Sequence, residues 1–72
     1  MYKVEKRGNW LHVYDEHGDE YIRIDHISQV QRLGDRYVCI YVGSQRNDYP
    51  CVNIDVLNEF LSGIMQAIQR PW

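Results

Sequence analysis

The strongest constraint on this chain lies near its C-terminus. From Asp55 to Arg70 the apolar residues Leu57, Phe60, Leu61, Ile64 and Ile68 recur at i, i+3, i+4, i+7 and i+11. That spacing draws one apolar stripe along an α-helix. Asp55 stands at the expected N-cap, its carboxylate able to accept from the free amides of the first turn. Pro71 closes the pattern, and Arg70 before it sets a cation against the carbonyl end of the helix dipole. Such a stripe must be buried on something, and everything upstream reads as short strands. The fold class expected is α+β: an antiparallel β-meander of five or six short strands with one C-terminal helix packed on one face.

The strands follow from alternation and turn residues. Tyr2 to Arg7 places Tyr2 and Val4 on one side, and Gly8-Asn9 turns the chain. Trp10 to Asp15 sets Leu11 and Val13 against Trp10, His12 and Tyr14, and His17-Gly18-Asp19 makes the next hairpin connection. Glu20 to Asp25 opposes Ile22 and Ile24 to Tyr21 and Arg23. A corner at Asp25–Ser28, with Asp25 capping its turn, leads into a strand over Gln29–Leu33. Arg36 to Val42 is β-branched and aromatic, with Val38, Ile40 and Val42 opposite Tyr37, Cys39 and Tyr41. Gly43 to Pro50 reads as a polar loop and Cys51 to Ile54 as the last strand, Val52 and Ile54 facing inward. The inner face then carries Leu11, Val13, Ile22, Ile24, Val38, Ile40, Val42, Val52 and Ile54.

A helix of about four turns covers one side of such a sheet. The other side then presents Trp10, His12, Tyr14, Tyr21, Arg23, Tyr37, Cys39, Tyr41, Cys51 and Asn53. Tyr, Trp and Arg are the side chains enriched where one protein docks on another, and contiguous exposed apolar area marks interaction sites. Trp10, His12, Tyr14, Tyr21, Arg23, Tyr37 and Tyr41 are therefore the candidate partner-binding residues. The competing reading is that tyrosines favour strands and lie flat with their hydroxyls in water.

Seventy-two residues with 44% hydrophobic and 25% charged side chains describe a single globular domain, 1–72, close to the lower size limit for a self-sufficient core. No apolar run approaches the roughly 20 residues of a membrane span, and Met1–Arg7 lacks the apolar core of a signal peptide. Cytoplasmic location is the resulting expectation. Two cysteines are too few for a disulfide scaffold, so both are expected as free thiols.

Chemical motifs are missing. His12, Cys39 and Cys51 lack the paired spacing of structural zinc ligands, so no metal or cofactor is expected. No elbow, glycine loop or orienting group accompanies either cysteine as a nucleophile, and no catalytic residue is assigned. Asp15, Glu16, Asp19 and Glu20 form an acidic run at a hairpin tip where water screens them. The run Arg36–Tyr41 partly resembles the aromatic strand of an RNA-recognition motif. It lacks that motif's glycine, and the chain has one helix where that fold needs two. The net charge of -2 also argues against nucleic acid as the partner.

The expected function is that of a small non-enzymatic interaction module, an adaptor, regulator or inhibitor of the kind phages also encode. It would bind another protein, or a second copy of itself, through the aromatic sheet face or an edge strand. A homodimeric structural role is the first alternative, and weak stacking of single-stranded bases on Tyr37, Tyr41 and Trp10 the second.

Overall fold

The computed structural model describes residues 2–69, so Arg70 and Pro71, assigned above to the end of the helix, lie outside the described residues. The order is β1 (Lys3–Arg7), β2 (Trp10–Asp15), β3 (Gly18–Arg23), a 3-10 turn (Ile24–His26), β4 (Ile27–Leu33), β5 (Tyr37–Val42), β6 (Gln45–Pro50) and α1 (Ile54–Gln69). Six antiparallel strands and one C-terminal helix make the α+β arrangement that the alternation implies.

The meander is divided in two. Strands β1-β2-β3 form one three-stranded sheet and β4-β5-β6 a second. The break falls at the 3-10 turn, where the amide of Ile24 donates to the carbonyl of Asn9 at 2.8 Å and closes off the first sheet. Asp25 does not cap that turn. Its carboxylate is drawn back to the Arg23 guanidinium by two hydrogen bonds of 3.2 Å.

The second sheet corrects the reading of its last strand. The polar stretch Gln45–Pro50 is strand, with Val38 opposite Tyr49, Ile40 opposite Asn47 and Val42 opposite Gln45. Gly43-Ser44 is a two-residue hairpin turn, and Gly43 supplies the positive φ of 62° that its first position requires. Cys51 to Ile54 is therefore not a strand. Val52 is 75% exposed and Ile54 opens the helix half in water, whereas Cys51, expected on the outer face, is buried in the core.

The helix forms as its stripe requires. Leu57, Phe60, Ile64 and Ala67 are buried, with Leu61 and Ile68 flanking them. Its cap is Asn53, whose side-chain oxygen accepts from the amide of Val56 at 2.9 Å. Asp55 lies in the first turn, where its charge still suits the dipole. α1 packs chiefly along β1 and touches β2 and β5. The approach to β1 is close because Gly63 has no side chain: a Cβ there would sit 2.7 Å from Val4 Cγ1. One core results, built from Leu11, Val13 and Ile22 of the first sheet, Val38, Ile40 and Tyr49 of the second, and the helix stripe.

Candidate functional site

Register sets the outer face of the first sheet as three cross-strand rows. They are Arg7–Trp10–Arg23, Glu5–His12–Tyr21 and Lys3–Tyr14–Asp19. In the first row the Arg23 guanidinium lies 5.6 Å from the centre of the Trp10 ring, a cation–π contact. The Asp25 carboxylate fixes that guanidinium, and Arg23 in turn holds the Asp25 carboxyl below its usual range.

The middle row carries the most ordered group. The His12 ring stacks on Tyr21 at 4.4 Å and 3°, and on Tyr14 at 4.6 Å and 22°. Its Nδ1 is 3.3 Å from Glu5 and its Nε2 3.2 Å from Asp19, so the ring ties β1 to β3 across β2. A neutral imidazole donates to one of these carboxylates, and an imidazolium donates to both. The Arg7 guanidinium, and then the His12 ring, hold the Glu5 carboxyl below its ordinary value. His12 is 8% exposed, although it lies on the uncovered side of the sheet. Trp10 and Tyr21 remain 42% and 52% exposed. The face is thus flat, ring-lined and already braced by its own contacts.

Five of the candidate residues, Trp10, His12, Tyr14, Tyr21 and Arg23, meet on this one face. Tyr37 and Tyr41 do not, because β5 belongs to the second sheet. Tyr37 is exposed there, whereas Tyr41 is half-buried and its hydroxyl donates to Gln31 at 3.2 Å. Cys39, between them, is fully buried with Asp48 as its cross-strand partner; desolvation, reinforced by that carboxylate, pushes its thiol up. Burial pushes Cys51 up as well, and both cysteines are free. Across the second sheet the β6 partners of Cys39 and Tyr41 are Asp48 and Arg46. Among the described residues no group of three or more His, Cys, Asp or Glu side chains is placed to hold a metal ion. No helix of the described residues is long and apolar enough to cross a membrane.

One concave feature was not anticipated from sequence. A groove of about 470 Å³ runs between the tip of the β2–β3 hairpin and β6. Tyr2, Tyr14 and Tyr49 line it, together with most of the acidic run at the tip. The missing signal was Gly43-Ser44, which as a hairpin turn would have made residues 45–50 a strand and turned Tyr49 inward. No protein-family model, curated protein or solved structure matches the chain.

Proposed function

We propose that this chain is a non-enzymatic interaction module that docks another protein on the outer face of its first sheet. The observation that carries the reading is the braced ring surface: Trp10 under Arg23, and His12 stacked with Tyr14 and Tyr21. Exposed Trp, Tyr and Arg are the side chains that dominate binding energy at protein interfaces. Here they are held in place before any partner arrives, which lowers the ordering entropy lost on association. The opposite side of the same sheet is taken by the core, so this is the side left for a partner.

Base stacking is the second reading, favoured by the flat rings and by Lys3, Arg7 and Arg23 along the same rows. It ranks lower because Arg7 and Arg23 are already engaged by Glu5 and Asp25, leaving fewer cations for phosphates.

The test is a comparison of folded variants. Trp10→Ala with Tyr21→Ala should keep the circular-dichroism spectrum and lose a protein that the wild-type chain retains. Tyr37→Ser with Tyr41→Ser should retain it. Equal retention by both double variants contradicts the reading. Binding of a single-stranded oligonucleotide that disappears with Trp10 and Tyr21 selects the second reading instead.

A further inference from the structure

The groove between the hairpin tip and β6 has a chemistry of its own. Its aromatic side comes from Tyr2 and Tyr14, both half-exposed, and from the buried Tyr49, which packs against Tyr2 at 5.2 Å. Four carboxylates line it, those of Asp15, Asp19, Glu20 and Asp48, against one guanidinium, that of Arg46. The whole chain carries a net charge of only -2, so four carboxylates against one guanidinium make this groove locally more acidic than the chain as a whole. Arg46 does not offset the others, because its Nε is 2.7 Å from Asp48 and bound to it.

Glu20 is the informative residue. It occupies an inward-facing row of β3, two residues from the buried Ile22 and directly opposite the buried Val13. Alternation would put an apolar side chain there. Instead a carboxylate stands at the end of the core, where the Tyr49 hydroxyl donates to it. Among the described residues no cation pairs with it, and desolvation pushes its carboxyl above the usual range. An exposed carboxylate with no cation bound to it among the described residues is a position that gains from an incoming cation.

We propose that this groove is a docking site for a lysine or arginine side chain from a basic peptide segment of a partner protein, the cation meeting Glu20 while its stem lies along Tyr2 and Tyr14. Long cationic side chains lay their methylenes on apolar surface and keep the charged head at polar groups, and a tyrosine face adds a cation–π contribution. The groove shares Tyr14 and Asp19 with the edge of the ring-lined face, but Trp10, Tyr21 and Arg23 do not line it, so variants at those residues separate the two readings.

The experiment is a nuclear magnetic resonance titration of the ¹⁵N-labelled chain with a blocked Gly-Lys repeat peptide, its arginine counterpart and a glutamate control. The basic peptides should move the amides of residues 14–20 and 46–49, and added salt should reverse the shifts. Glu20→Gln, which keeps an acceptor for Tyr49, should weaken binding roughly tenfold. Arg46→Gln releases Asp48 and should tighten it, while Trp10→Ala should leave it unchanged. Circular dichroism confirms that each variant is folded. Groove amides that stay still, equal binding of the glutamate peptide, or a Glu20→Gln variant that binds as the wild type overturns the proposal. Shifts confined to the Trp10 and Tyr21 face overturn it too, and leave the function proposed above intact.

Discussion

At the centre of the outer face of the first sheet sits His12, and at the centre of the second sits Cys39. Both sheets are three-stranded meanders, and neither central residue faces the shared core, yet His12 is 8% exposed and Cys39 is fully buried. In the first sheet the centre is hidden by rings, Tyr14 and Tyr21, with Glu5 and Asp19 at the imidazole nitrogens. In the second it is flanked by polar pairs, Tyr41 with Gln31 on one side and Arg46 with Asp48 on the other. Alternation assigns a residue to a face; the length of its neighbours decides how wet it is. The first sheet therefore shows solvent a surface of rings braced by charged groups, and the second shows a surface whose polar groups are largely bonded to one another.

The largest effects should come from the core the two sheets share. Leu11→Ala in the first sheet and Ile40→Ala in the second each empty a fully buried position and should cost about 2–5 kcal/mol in urea denaturation. Both variants should still unfold in one transition, because α1 touches strands of both sheets. Separate transitions for the two sheets would break the comparison at its root. Gly63→Ala should cost about 1–3 kcal/mol, since its methyl meets Val4, although alanine favours a helix by about 1 kcal/mol. A gain in stability would mean that α1 does not ride on β1 as described.

How far these features were legible in sequence follows from what produces them. The stripe from Leu57 to Ile68 and the alternation at Leu11, Val13, Val38 and Ile40 report burial directly, so the helix and most inner positions could be read in advance. Asn53 as the cap was hidden behind Asp55, two residues on, because both side chains accept hydrogen bonds equally well. Residues 45–50 were misread because an edge strand needs few apolar residues, and only Asn47 and Tyr49 turn inward. That error concealed the groove as well. That Trp10, His12, Tyr14, Tyr21 and Arg23 share a face was legible because one short hairpin joins β2 to β3. That Tyr37 and Tyr41 lie on the other sheet was not, because nothing local announces that a meander breaks in two.

Smaller effects sharpen the contrast. Asn53→Ala should lower stability by about 0.5–2 kcal/mol through the lost cap. Glu20→Gln should raise it by less than about 1 kcal/mol at neutral pH, given how much of the side chain is in water. Its sign is set by the raised carboxyl: folding favours the protonated form, so stability from this group is present at low pH and lost as pH rises through the folded titration. The advantage of glutamine should therefore vanish as the solution is acidified below the carboxylate range. Glu5, Asp25 and Asp48 run the other way. Their carboxyls are held low by Arg7, Arg23 and Arg46, and what they contribute is present above the unfolded titration and lost as pH falls through the folded one. Thermal melts of wild type and Glu20→Gln across acid and neutral pH check both signs.

The central proposal is that a protein partner would dock on the ring-lined face of the first sheet and not on the outer face of the second. The dissociation constant of the purified partner for two folded double variants, measured side by side, tests it most directly. Trp10→Ala with Tyr21→Ala should weaken binding by roughly a hundredfold, the scale of losing two anchoring side chains. Tyr37→Ser with Tyr41→Ser should leave it within about threefold of wild type, as expected for residues outside the contact. The reverse order, or equal losses from the two, would contradict the account.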